Sequence, residues 1–440
     1  MVHGPWGCEP LKKTPDTESL LPYQDRPPLI FIAGRDPTVE IGGGHASYVR
    51  SHAFAARAAG YAPKLYCVSE QSGTSELEYG SVIRVPARGR PCRQTRVGFH
   101  APALVQAILR DLATTDEPVL IHSFGVWGHV GGALKTALNA RTQTCFHVMS
   151  MYTTYADEAE AHLRSAVRYG LRAGLAQWLE LQWIRLRVAP LEHAALKHAD
   201  RVTVNYQSVA RLIRDRYPDI SHIEQMTYGP ETAFTEPELS ATRSTQTTES
   251  TARREHPAPP RLLTIALQRP KKGVDTLLHG LARALARGAR FEAKIVGGGP
   301  LVPHHKQLAH TLKLDGAVTL TGFVPDVVPD LKAADIFVLP SRREESGSIA
   351  VLQAMQAGCA IVCSDIDGLR EDLVNGQTAL LIPSDDPKAL ADALHRLITD
   401  IGLRQRLAQN AHAAFSARFC AAAQSEASAT LYQSLLMHKN

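Results

Sequence analysis

The chain has no apolar run near the ~18 to 20 residues that a membrane-spanning helix needs. It has no Cys-x-x-Cys pair, and its seven cysteines are an odd number. That argues against a disulfide framework or a zinc module and leaves reduced thiols as the expectation. Residues 1–28 carry Lys12 and Lys13 but no apolar core, so they do not read as a signal peptide. They are expected to form a poorly ordered tail in a cytoplasmic protein. No repeat at a solenoid period is evident. Strong charge is missing too: the formal net charge is +5, which permits anionic ligands or anionic lipid without demanding either. No nucleic-acid partner is expected. No G-x-G-x-x-G follows the first strand, so no nicotinamide cofactor is expected.

What is present is ordinary for a soluble protein, with 44% hydrophobic and 21% charged residues. A chain of 440 residues is too long for one compact core and suits two domains. The stretch 334–381 organises them. Residues 335–339 read as an apolar strand, 340–347 as a polar turn, and Ser348 as the N-cap of a helix through Ile349, Leu352 and Met355. Gly358 stands where a helix stops, and 359–363 read as a second strand. Strand–helix–strand order implies parallel pairing with a crossover helix. Ligands then bind beyond the carboxyl ends of the strands. The helix start, with Glu345 beside it, makes an anion site.

The first half reads as strands at 29–33, 64–68, 119–122, 145–149 and 199–205, interleaved with helices. Gly42, Gly43 and Gly44 lie between the first strand and helix, where glycine lets backbone approach a ligand. His122 ends a strand. Residues 163–196 are long, basic and helical in pattern, with a break expected near Pro190. Leu163, Leu175, Trp178 and Leu179 share one face, and Arg164, Arg168 and Arg172 another. A packed surface helix and a helix lying on an anionic membrane are both open. Residues 235–260, rich in Ser, Thr, Glu and Pro, read as a linker. In the second half, Arg269 and Lys272 follow the strand 261–267, a place that suits a diphosphate. A solvated basic turn is the alternative. A strand at 293–296 runs into Gly297, Gly298 and Gly299, and one at 318–320 leads to Phe323. Helices are expected at 274–286, 387–398 and 404–436.

The run from Glu345 to Gly358 resembles the donor-site signature of the family 4 retaining glycosyltransferases. That signature has a Glu, seven residues, a second Glu, then Ala-Met and a Gly. Here Glu345 is the first acid, Gln353 replaces the second, and Ser348 replaces a glycine. Lys272-Gly273 resembles the family's Lys-Gly, although Leu267 stands where its Arg would be. Gly297 to Pro300 and the turn at Phe323 are similar to family turns around the nucleotide base.

The resemblance implies the α/β GT-B fold, two Rossmann-like doubly wound domains facing across a cleft. The expected division is an N-terminal acceptor domain at 29–234, a donor domain at 261–415, and a C-terminal helix at 416–440 that packs back on the first. The implied activity is transfer of a hexose from a nucleotide-diphosphate sugar to a glycan or lipid-linked acceptor, with retention, as in polysaccharide biosynthesis. Glu345, His122 and Lys272 are the implied catalytic residues. Gly43, Gly44, Arg269, Lys272, Gly298, Phe323, Glu345, Ser348, Ile349 and Gln353 are the implied donor-binding set. No metal or cofactor is expected, although Asp365 and Asp367 form an Asp-x-Asp of the kind that holds a divalent ion in another glycosyltransferase fold. Peripheral contact with the inner face of an anionic membrane is part of the expectation. A nucleotide-sugar epimerase of the same fold and a catalytically weak sugar-nucleotide-binding scaffold are the rival readings.

Overall fold

The computed structural model describes residues 26–38, 44–87, 96–166, 171–235 and 258–437. The first lobe runs β1 (Leu29–Arg35), α1 (Gly44–Ala58), β2 (Pro63–Ser69), β3 (Gly73–Leu77), β4 (Gly80–Pro86), α2 (Val97–Asp111), β5 (Val119–Phe124), α3 (Gly128–Asn139) and β6 (Cys145–Met151). It continues with α4 (Tyr155–Ala166), α5 (Leu171–Trp183), α6 (Ala189–His198), β7 (Arg201–Val204), α7 (Gln207–Arg216), β8 (Ile223–Gln225) and α8 (Thr232–Thr235). The second lobe runs β9 (Arg261–Ile265), α9 (Val274–Ala286), β10 (Glu292–Val296), α10 (Val302–Thr311), β11 (Val318–Gly322), α11 (Val328–Ala333), β12 (Ile336–Leu339), α12 (Ile349–Gln356) and β13 (Ala360–Ser364). It ends with α13 (Leu369–Asp372), β14 (Leu380–Ile382), α14 (Pro387–Thr399), α15 (Ile401–Arg418) and α16 (Ala421–Met437).

Each lobe is built on one sheet. The first has the order β3-β4-β2-β1-β5-β6-β7-β8, and the second β11-β10-β9-β12-β13-β14. Among the described residues only the β3–β4 hairpin pairs antiparallel. The central strands are largely apolar because helices cover both faces of a parallel sheet. Thus every residue of β5, β12 and β13 is buried. The second sheet has the doubly wound order 3-2-1-4-5-6, whose direction reverses between β9 and β12. That reversal fixes where a ligand crevice opens.

The helical excursion after β6 departs from expectation. Its irregularity is a π-helical turn at Ile184–Val188 rather than a break at Pro190. Pro190 sits in the first turn of α6, where its missing N–H leaves no helical carbonyl unpaired. The β3–β4 hairpin was not legible, since Gly73–Leu77 is an exposed, polar edge strand.

Two of the contacts that join the lobes involve α16 and α7. Helix α16 returns to the first lobe, where the Tyr432 ring packs edge-on against Tyr61 and its hydroxyl meets His122 Nδ1 at 2.7 Å. On the other side, the start of α7 grips the second lobe. The backbone N–H groups of Gln207 and Ser208 each donate to one carboxylate oxygen of Glu371, at 2.8 Å. Ser208 Oγ donates to the Glu345 carbonyl at 2.7 Å, and Asn205 Nδ2 to that of Ser346 at 3.2 Å. Tyr206 Oη donates to Asp372 at 2.7 Å.

Burial raises the Asp372 carboxyl from its ordinary 3.8 to about 7, against the pull of Tyr206 and Arg418. The folded chain therefore binds a proton here that the unfolded chain releases. The stability this contributes is full below about pH 4 and is lost as pH rises to about 7. Asp372→Asn should consequently gain melting temperature relative to the parent between pH 5 and pH 8. Thermal unfolding at both pH values measures this, and a difference that does not change with pH would refute the assignment.

Candidate active site

The crevice is lined by the loops that leave β9 and β12, neighbours at the point where the second sheet reverses. The β9 loop carries Arg269 and a 3-10 turn over Pro270–Lys272. The β12 loop carries Ser341 to Ser348. Arg342, which also donates to the Pro270 carbonyl, and Lys272 stitch the two together. Arg342 N donates to the Lys271 carbonyl at 2.7 Å, and its guanidinium bridges Asp275 and Asp385 at 2.7 and 2.5 Å. Lys272 is ion-paired with Glu344, whose carboxylate also accepts from Ser341 Oγ at 2.7 Å. Lys272 thus faces Glu344, the acid next to the one expected to matter. Arg342, though cationic, is fully used inside the second lobe.

Glu345 lies beside the start of α12 and is 7% exposed. Burial pushes its carboxyl above the usual range, while Lys271 and Arg343 pull it down. Arg343 Nε is 2.5 Å from Glu345 Oε1 without the angle of a hydrogen bond. Lys271 stays charged despite burial because Glu158, Glu344 and Glu345 surround it. Sequence reasoning named Lys272 and missed Lys271, one residue away. Gly347 has φ +62°, and a Cβ there would sit 2.4 Å from the Tyr206 ring. Only glycine lets the loop turn into the helix this close to the first lobe. Ser348 is the N-cap in extended conformation, with its carbonyl accepting from the N–H groups of Val351 and Leu352. The N–H groups of Ile349 and Ala350, ahead of those two, have no intrahelical acceptor and lie at the positive end of the helix dipole.

The first lobe faces this cluster through α4. Arg269 Nη1 is 3.4 Å from His162 Nε2. Burial, with the cations of Lys271 and Arg269, lowers His162 to about 4 against the opposing pull of Glu158. The neutral ring accepts from Arg269. Glu158 and His162, four residues apart, share one face of α4. No sequence signal marks them, because they meet the crevice only through tertiary packing.

His122 was expected at the sugar, but its ring is completely buried. Nδ1 meets Tyr432 and Nε2 meets Ser150 Oγ at 2.6 Å. Burial lowers its pKa further, so it is a neutral core histidine with no edge toward the crevice. Gly43 lies outside the described residues. Gly44 opens α1, and a Cβ there would meet nothing within 4 Å. Asp365 pairs with Arg370 at 2.6 Å, and Asp367 accepts from Glu344 N at 3.1 Å. Gly298 and Phe323 do adjoin: a Cβ at Gly298 would lie 3.5 Å from Phe323 Cβ, and the Phe323 ring is 57% exposed. Gln353 is on α12 with its side chain largely covered, and Leu267 is exposed where a cation was sought.

Comparison with known proteins agrees with this architecture. The description "Glycosyl transferase 4-like domain" matches residues 43–229, and "Glycosyl transferases group 1" matches 259–400. An alpha-D-kanosaminyltransferase of Streptomyces kanamyceticus is 31% identical over 38% of this chain and 43% of its own. A D-inositol 3-phosphate glycosyltransferase of Corynebacterium efficiens is 29% identical over 50% of this chain and 53% of its own. The match thus spans about half the length of these curated relatives. Among solved structures, sucrose-phosphate synthase of Thermosynechococcus elongatus superposes with TM-score 0.70 at 21% identity, covering 94% of this chain and all of that one. The Anabaena protein HepE, solved with UDP, gives 0.66 at 17% identity, covering 92% and 100%. With both lobes matched by family descriptions and both sheets wound in the same way, the chain belongs to the family 4 group 1 glycosyl transferases of the GT-B fold.

Proposed function

We propose that this chain is a glycosyltransferase that moves a hexose from a nucleotide-diphosphate sugar to a glycan or lipid-linked acceptor, with retention at the anomeric carbon. The observation that carries the reading is the placement of Lys271, with Arg269 beside it, next to Glu345 at the N-terminus of α12. Departure of a diphosphate builds negative charge on the leaving oxygens. Fixed cations and backbone N–H groups aimed at that charge are the main expected source of rate. Lys271 and Arg269 supply the positive charge, and Lys272 adds to it while anchoring Glu344. The N–H groups of Ser348 and Ile349 complete the cradle. Glu345, raised by burial, holds sugar hydroxyls. Gln353 offers the ribose one acceptor and one amide donor where a Glu would accept twice. Gly298 and Phe323 form the shelf for the base. Support for a nucleotide-sugar donor comes from the solved relatives that hold UDP, UDP-glucose or ADP.

The chemistry runs without a metal. Asp365 and Asp367 each already have a protein partner, and the protein's own cations balance the diphosphate. Retention is the stereochemistry that the family resemblance implies.

The acceptor is reached at an anionic membrane on its cytoplasmic side. Among the described residues no helix is long and apolar enough to cross a bilayer. Leu175, Trp178, Leu179, Trp183 and Leu186 nevertheless stand exposed on α5 and the π turn, beside the exposed Arg185 and Arg187. An apolar stripe with Trp, edged by Arg, suits the headgroup boundary of an anionic leaflet.

Lys271→Ala and Glu345→Gln should each lower kcat/KM for sugar transfer by about 100- to 1,000-fold, read by product formation from a panel of UDP-, GDP- and ADP-sugars. Wild-type rates in either variant would reject the site. Gln353→Glu should keep or improve donor affinity by titration calorimetry. EDTA should leave transfer intact, and activity restored only by manganese would reverse the metal-free reading. Trp178→Ser with Leu179→Ser should weaken co-sedimentation with phosphatidylglycerol vesicles without changing transfer to a soluble acceptor. Unchanged sedimentation would remove the membrane from the proposal.

A further inference from the structure

Two loops of the donor crevice, the cation turn after β9 and the glycine turn after β10, share a single buried residue. Gln268 is completely buried. Its backbone N–H donates to the Gly298 carbonyl at 2.7 Å, and its carbonyl accepts from Leu301 N at 3.2 Å. Its side-chain Nε2 donates to the Gly297 carbonyl at 2.8 Å. The fit leaves no slack. Gly297 and Gly299 have φ of +133° and +136°, and Cβ atoms there would stand 2.0 Å from the Ala266 carbonyl and 2.7 Å from that of Gln268. Gln268 immediately precedes Arg269, so its position sets both the cation turn and the shelf of Gly298 and Phe323.

One further residue fixes Gln268. His305, on α10 and 1% exposed, has Nδ1 at 2.7 Å from Gln268 Oε1. The chemistry settles the proton. Because Gln268 Nε2 must donate to a carbonyl, Oε1 is the oxygen that faces His305, and it can only accept. Nδ1 therefore carries the hydrogen. Nε2 is left with its lone pair, buried and without a hydrogen-bond partner. A histidine held in one tautomer, with only one nitrogen used, behaves as a rigid single donor aimed at the amide.

We propose that His305 is a positioning residue for the nucleotide-sugar site, acting through Gln268 to hold the Gly297–Gly299 turn against the cation turn. The proposal rests on the donor-site reading above. Without the imidazole, Oε1 loses its partner and the amide is free to rotate off Gly297. The shelf and the cations then lose their common register. Burial lowers His305 to about 4, so the brace is neutral and constant across the working range.

Asparagine can test this, because its Nδ2 hangs from Cγ as His Nδ1 does. Glutamine instead reaches the place of Nε2. Binding of UDP, GDP and ADP is measured by calorimetry for the parent, His305→Ala, His305→Asn and His305→Gln, with melting temperatures alongside. The expected result is about a tenfold weaker Kd for the Ala and Gln variants toward whichever nucleotide the parent binds. His305→Asn is expected within about twofold of the parent. In turnover the Ala and Gln variants should raise donor KM more than they lower kcat. The Asn and Gln pair keeps the test valid should His305→Ala not fold. Parent-like binding in the Gln variant, or equal loss in Asn and Gln, overturns the positioning role alone. A parent that binds none of the three nucleotides overturns the donor-site reading and this proposal with it.

Discussion

The seating of the loop from Glu344 to Ser348 is the constraint on which the rest depends. That loop belongs to the second lobe by sequence but is held from both sides. Lys272 and Ser341 fix Glu344 from its own lobe. Ser208 and Asn205 of the first lobe take the carbonyls of Glu345 and Ser346. Backbone carbonyls bonded across a lobe boundary cannot shift without breaking hydrogen bonds, and a buried one left unpaired costs roughly 1–3 kcal/mol. Opening the crevice on this side therefore displaces Glu345 itself. Lobe orientation and site geometry are one variable rather than two.

Charge placement follows the same economy. Lys271 is kept charged by Glu158, Glu344 and Glu345 despite its burial, and Arg269 rests on neutral His162. Under the proposed function, an arriving diphosphate meets a half-buried Lys271 and an exposed Arg269 that already have neighbours in the protein. Because Glu158 sits on the first lobe, an anionic ligand that takes its place beside Lys271 exchanges an interlobe attraction for a ligand contact.

The parallel cores of the two sheets were readable because such cores write themselves in continuous apolar strands separated by crossover helices. The runs at β1, β5, β12 and β13 carry that signal at full strength. The start of α12 was readable as well, since Ser348 and Gly347 have local backbone reasons to stand there. His122 was misread because a strand-end position does not say which face the ring takes. It points into the layer covered by α16, and the partner that fixes it, Tyr432, lies 310 residues later. Lys271, Glu158 and Ser208 were missed for a related reason. Each is defined by a contact between lobes, and such contacts leave no periodicity in either segment.

The excursion from α4 to α6 gives these separate features a common support. Its first helix presents Glu158 and His162 to the cation turn. Its second helix and the π turn carry the exposed Leu175, Trp178, Leu179 and Leu186. A π turn inserts an extra residue into the helical repeat, which rotates the downstream face. Ile184, Val188 and Glu192 keep the i, i+4 spacing of one helix face and are buried, while Leu186 is turned outward. Glu192 accepts from Tyr155 N at 3.2 Å and from Tyr217 Oη at 3.0 Å. Tyr155 is the first residue of α4, so this buried carboxyl ties the excursion's end to its beginning. The exposed apolar stripe and the residues that face the cation turn thus belong to one helical excursion.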